Sequence, residues 1–246
     1  MKKKAIIISI KGYKLSDKEK NLFIREKPWG LILFKRNIES FEQIKTLIKT
    51  IRTLTKEPQF PVMIDEEGVT VSRLSNLINH NFSQKLLGDI FRISNKVGLD
   101  FYKDYINRLA KVLKKIGINI NTVPVLDVLR KNTNQVIGNR SFSKDPLEAK
   151  LLGQICVRQY KLNKLGTVIK HIPGHGCSSS DSHFKTPKVK LSYKDLNRID
   201  FLPFKSNQSK FAMTAHIIYQ KIDPKNVSTF SKKIIKEIIR KKIGYK

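Results

Sequence analysis

Gly166-Thr-Val-Ile-Lys170-His-Ile-Pro-Gly-His-Gly176 is a short apolar run that breaks into a histidine-rich loop. Pro173, Gly174 and Gly176 exclude a regular helix there, while the apolar residues before them suit a buried strand. A strand that ends in a polar loop is the unit of a parallel α/β sheet, in which rigid strands aim the groups that loops carry.

The same unit repeats outward in both directions. Apolar runs of strand length fall at Ala5 to Ile10, Gly30 to Phe34, Pro61 to Asp65, Ile120 to Asp127, Gly166 to His171 and Phe211 to Ile217. Amphipathic stretches of helix length fall at Asp17 to Arg25, Phe41 to Leu54, Asn95 to Ile116, Pro146 to Leu162, Tyr193 to Phe204 and Ser231 to Ile243. No glycine-rich phosphate fingerprint follows the first strand, so the order favours a (β/α)8 TIM barrel over a Rossmann sheet. Six units are not eight: the expected fold is α/β of TIM-barrel type, incomplete at about six β/α units, with the last two strands missing. No linker or repeat divides the chain, and residues 1–246 read as one domain with a long polar connection from Leu129 to Asp145.

Composition narrows the function. The formal net charge is +29, yet 38 of the 49 basic residues are Lys and they are scattered through nearly every segment. A diffuse excess without a recognition module is weak support for a nucleic-acid partner. Cys156 and Cys177 lack metal or disulfide spacing, which fits a reducing compartment. Met1-Lys-Lys-Lys4 followed by the largely apolar run Ala5 to Ile10 imitates a signal peptide, but the run stops at Lys11 without a cleavage site and reads better as a first buried strand. No stretch reaches bilayer-crossing length, so a cytoplasmic protein without a membrane partner is expected.

In such barrels function gathers at the C-terminal ends of strands. Asp65, Glu66 and Glu67 follow the third strand, Asp127 the fourth, Lys170 and His171 the fifth, and His216 the sixth. His171, His175, Asp181 and His183 are all metal-ligand types, but the loop denies His171 and His175 the helix that would set them on one face, and neither metal nor cofactor is expected. Asp181 and His183, two residues apart, suit a carboxylate that orients an imidazole for acid/base chemistry near neutral pH.

Lys170-His-Ile-Pro-Gly-His-Gly176, Asp181-Ser-His183 and Thr186-Pro187 together resemble the motifs of family 3 glycoside hydrolases, specifically the bacterial β-N-acetylglucosaminidase (β-hexosaminidase) type that trims peptidoglycan fragments. Leu31 to Asn37, Ile64 to Gly68 with Arg73, Val123 to Asp127, Ile137 to Phe142 and Ala212 to Tyr219 match further family landmarks in order. The resemblance implies that Asp65, Arg73, Arg140, Lys170 and His171 hold the N-acetylglucosamine unit, and that His183, paired with Asp181, is the general acid/base. Two departures stand out. The family's D-Q-E-G-G-R is Asp65-Glu-Glu-Gly-Val69-Thr70 here, so Val69 stands where the backbone is expected to need a positive φ. The family's nucleophilic Asp lies in an S-D-D motif at the end of a seventh strand, and no such motif occurs in these 246 residues. The resemblance thus implies a retaining hydrolase of peptidoglycan-derived saccharides whose chain ends before its nucleophile. It would be inactive alone, completed by a complementary C-terminal chain, or a sugar-binding remnant.

Overall fold

The computed structural model describes residues 3–79, 81–180 and 186–246. Six parallel strands lie side by side in chain order: β1 (Lys4–Ile8), β2 (Pro28–Leu33), β3 (Val62–Ile64), β4 (Ile120–Asn121), β5 (Gly166–Ile172) and β6 (Phe211–Thr214). The crossovers hold α1 (Asp17–Glu26), α2 (Phe41–Thr55), α3 (Gln84–Ile93), α4 (Asn95–Lys115), α5 (Pro146–Leu162) and α6 (Tyr193–Arg198). A π-type helix, Ile234–Lys242, follows β6.

The sheet is curled. In a flat sheet β2 and β6, four strand spacings apart, would be separated by about 19 Å. Instead Trp29 of β2 and Phe211 of β6 meet edge to face with ring centroids 5.3 Å apart. They cluster with Met63, Ile120, Val168 and Ile32 on the inner face. The alternating residues Leu31, Leu33, Val62 and Ile64 pack outward, against Ile44, Leu47, Ile48 and Ile51 of α2 and Ile106, Leu109, Ala110 and Leu113 of α4. Each such Val, Leu or Ile side chain contributes about 1.5–3 kcal/mol of burial free energy. The result is a six-strand parallel half-barrel with helices outside.

Several elements differ from the sequence reading. The first strand is an edge rather than a buried one: Ile6 is 51% and Ile7 41% exposed, because β2 is its only strand neighbour among the described residues. β4 stops at Asn121, since Pro124 has no N–H for a ladder, and pairing resumes only as a bridge between Val125 and Lys170. The helix expected over Tyr193 to Phe204 ends at Arg198, and a 3-10 turn at Leu202–Phe204 carries Pro203. α3 has no counterpart in the sequence reading. It is capped by Ser83, and Ser94 both closes it and caps α4. Val69 is not strained: its φ is not positive, and Gly68 takes φ +144° instead, where a Cβ would lie 2.2 Å from the Phe82 carbonyl oxygen.

Candidate active site

Alternation along the strands decides which polar groups meet. Met63, Ile120 and Val168 face inward, so Asp65, Thr122 and Lys170, each two residues further, emerge on the same inner face at the strands' C-terminal rim. The Asp65 carboxylate accepts from the Thr122 hydroxyl, from Lys170 Nζ at 3.2 Å and from Arg73 Nη2 at 3.0 Å. Glu67 shares Asp65's parity and joins it. Its Oε1 lies 2.5 Å from Lys170 Nζ, and Arg140 donates to it through Nε at 2.7 Å and Nη2 at 2.9 Å. Glu66, on the opposite face, instead accepts from the Ser72 hydroxyl and the Arg73 and Leu74 N–H groups, and so fixes the turn that carries Arg73.

The charges compensate one another. Burial alone would raise the Asp65 carboxyl, but Lys170, Thr122 and Arg73 outweigh it and hold the group well below the usual carboxylate range. Glu67 is also held low, burial being overcome by Lys170 and Arg140. Lys170, only 2% exposed, is therefore a buried ammonium between two carboxylates.

A second cluster adjoins the first. Asp127 is fully buried and accepts from His171 Nδ1 at 2.7 Å, from the His171 N–H at 3.3 Å and from the His175 N–H at 2.6 Å. Burial would raise Asp127, but the two histidines outweigh it and lower it. The carboxylate selects the His171 tautomer with hydrogen on Nδ1, which leaves Nε2 for a ligand. Burial lowers the His175 pKa, so that imidazole is neutral near pH 7. Its ring meets that of His171 edge to face at 5.7 Å.

All five expected sugar-binding residues, Asp65, Arg73, Arg140, Lys170 and His171, thus fall into two adjoining hydrogen-bonded groups. His216 is apart from them, exposed beside Thr229 at 3.3 Å. Asp181 and His183 lie outside the described residues. Among the described residues no group of three His, Cys, Asp or Glu is placed to hold a metal ion. In the sequence Glu67 and Asp127 stand out only as strand-end acids, and Thr122 does not stand out. The two-residue steps from Asp65 to Glu67 and from Ile120 to Thr122 carried the signal.

The loops supply the frame. Gly174, at φ +144°, donates nothing through a side chain but lets its backbone pack on Asp200, and its carbonyl accepts from the Tyr219 hydroxyl. Asp200 is itself buried and paired with Arg130.

Residues 2–246 match the model of the glycosyl hydrolase family 3 N terminal domain. A β-hexosaminidase of Neisseria gonorrhoeae (strain NCCP11945) is 31% identical over 245 residues, which are 98% of this chain and 67% of that protein. The crystal structure of native NagZ from Neisseria gonorrhoeae superposes with a TM-score of 0.91 at 29% identity, covering 99% of this chain and 71% of the other. The same enzyme in complex with N-trifluoroacetyl-D-glucosamine gives 0.92. A family 3 β-N-acetylglucosaminidase from Paenibacillus sp. str. FPU-7 gives 0.89 at 27% identity, covering 97% of this chain and 46% of that one. With the family model spanning the chain and the relatives agreeing with it, this protein belongs to glycosyl hydrolase family 3 and is, by family, a glycosidase of the β-hexosaminidase type.

Proposed function

We propose that the inner rim holds the N-acetylglucosamine unit of a peptidoglycan-derived saccharide, in a single catalytic domain acting in the cytoplasm. The observation that carries this reading is the convergence of Asp65, Lys170, Arg140 and Arg73 with the Asp127-oriented His171. Vicinal hydroxyls both donate and accept: a carboxylate accepts their O–H hydrogen bonds, while ammonium, guanidinium and imidazole donate to their oxygens. The glucosamine derivative bound by the gonococcal relative supports this sugar class. The two free thiols, Cys156 and Cys177, suit a reducing compartment.

In this reading His183, oriented by Asp181, protonates the departing glycosidic oxygen while a carboxylate attacks the anomeric carbon. The imidazole then takes a proton from the water that cleaves the glycosyl ester. Asp65, Glu67 and Asp127 are each engaged with a cation or an imidazole and are poor candidates for the attacking group. The 246 residues alone therefore bind the sugar without turning it over, and a complementing polypeptide that carries the carboxylate restores hydrolysis.

The test is a chromogenic N-acetyl-β-glucosaminide offered to the purified chain, with N-acetylglucosamine binding followed by calorimetry and Lys170→Met as control. Saturable binding lost in the control, without turnover, is the expected result. Turnover that His183→Ala abolishes would show that one of these residues is the nucleophile. Absence of both binding and turnover would remove the sugar-site reading.

A further inference from the structure

Helices that return between parallel strands finish at the end of the barrel opposite the candidate active site. There α2 from Lys45 to its C-cap Lys56, Pro58 and the last turn of α4 line an open groove of about 670 Å³. Six of its eleven lining residues are cationic, namely Lys45, Lys49, Arg52, Lys56, Lys114 and Lys115, and none is acidic. Since Lys and Arg make up 49 of 246 residues overall, this concentration exceeds what the chain's general basicity supplies.

The spacing explains how scattered residues converge. Lys45, Lys49, Arg52 and Lys56 follow one another at i, i+4, i+7 and i+11, a single stripe along α2 that ends at its C-cap. Lys114 and Lys115, in the last turn of α4, face that stripe across the groove. Each helix C-terminus offers about half a negative charge. Glu42 pairs with Lys45 at 2.6 Å. These together leave roughly four of the positive charges uncompensated. Arg52 donates through Nη2 to the Gly117 carbonyl at 2.7 Å, while its buried Nε has no hydrogen-bond partner among the described residues. Ile48, Pro58 and Ile116 supply apolar wall, which confines the field of the cations to the concavity.

We propose that this groove binds a compact polyanion carrying two or three linked phosphates, held by Lys49, Arg52, Lys56, Lys114 and Lys115. Its volume lies within the range of small-ligand sites, about 300–1,000 Å³. The phosphates come either free or on a nucleoside, and the phosphate chain is the part recognised. This site is independent of the sugar site and of the reading given to it.

Isothermal titration of the purified chain with inorganic tripolyphosphate tests the proposal. The expected result is saturable one-to-one binding that weakens at least tenfold in Lys49→Glu/Lys114→Glu. A control with the same charge change on exposed residues elsewhere, Lys18→Glu/Lys232→Glu, retains it within twofold. Should the reversed pair fail to fold by circular dichroism, Lys49→Gln/Lys114→Gln serves with the same criterion. A parallel titration with ATP separates the sources: equal affinity points to free polyphosphate, and tenfold tighter ATP to a nucleotide. Non-saturable binding, equal loss in the control, or binding confined to oligonucleotides overturns the proposal.

Discussion

Lys170 carries the most consequence at the scale of one residue, because its ammonium separates two buried carboxylates. Lys170→Met keeps the side-chain length but leaves Asp65 and Glu67 facing each other without their shared cation. Breaking a buried pair in this way costs about 3–5 kcal/mol, which urea denaturation should register together with loss of sugar affinity. A change under 1 kcal/mol would mean that solvent reaches the pair. The same groups set the response to acid. Asp65, Glu67 and Asp127 are depressed in the folded state, so their stabilisation is present above the unfolded carboxyl values near 4 and is lost as pH falls through the folded ones. His175 is depressed too, so the unfolded imidazole takes up its proton first, and stability begins to decline below about pH 6.5. Asp200, raised by burial, runs the other way and favours the folded chain at low pH, whereas the three depressed carboxylates act only at about pH 4 and below, so the decline between pH 7 and 5 belongs to His175. The urea midpoint should therefore fall between pH 7 and 5, and His175→Gln should flatten that first decline. A wild-type midpoint that is level over this interval contradicts a neutral, buried His175.

At the scale of elements, residues 173–176, which follow β5, pack closely through the backbone of their two glycines. A Cβ at Gly174 would lie 2.8 Å from both Cβ and the carbonyl oxygen of Asp200, at a φ of +144°. Gly174→Ala should cost about 1–3 kcal/mol by thermal unfolding and weaken sugar binding through displacement of His171. Unchanged melting would show that Asp200 yields. β2 to β5 were legible because parallel strands covered on both faces read as continuous apolar runs, and β1 and β6 keep apolar sequences although they lie at the edges of the sheet. α3 was not, for opposite reasons. Gly88 lowers its helical propensity, and the single residue Ser94 that joins it to α4 leaves no loop to mark a boundary. The length of β4 was overread because Val123, Val125 and Leu126 are buried and apolar without being in a ladder, which hydrophobicity alone does not distinguish. Val69 is a related case. The departure from the family motif falls at Val69, but the positive φ falls on its neighbour Gly68, because Phe82 approaches there across the turn.

Across the whole molecule, what sequence order revealed and what it concealed follow one rule. Groups at strand ends could be collected on one rim because strand direction is shared, whereas the lysines of α2 and α4 look diffuse until the chain folds to bring together Arg52 and Gly117, 65 positions apart. The same view brings the two outer strands into relation. β1 exposes Ile6 and Ile7, and β6 exposes Met213, with neither outer edge paired among the described residues. Open apolar edges favour strand pairing between molecules, but a net charge of +29 repels copies of the chain. The two effects differ in their response to salt. At about 0.01 M the Debye length is near 30 Å and repulsion spans the approach, whereas at about 1 M it shrinks to roughly 3 Å and leaves the edges free to meet. Sedimentation velocity should therefore find monomer at low salt and concentration-dependent association at high salt, the reverse of complexes held by surface ion pairs. Ile7→Lys places another charge on the β1 edge at a position already 41% exposed, so it should suppress association without unfolding the chain. If the variant associates as strongly as the parent, the contact lies elsewhere. If the parent stays monomeric throughout, the edges are shielded by their own twist and side chains rather than by charge.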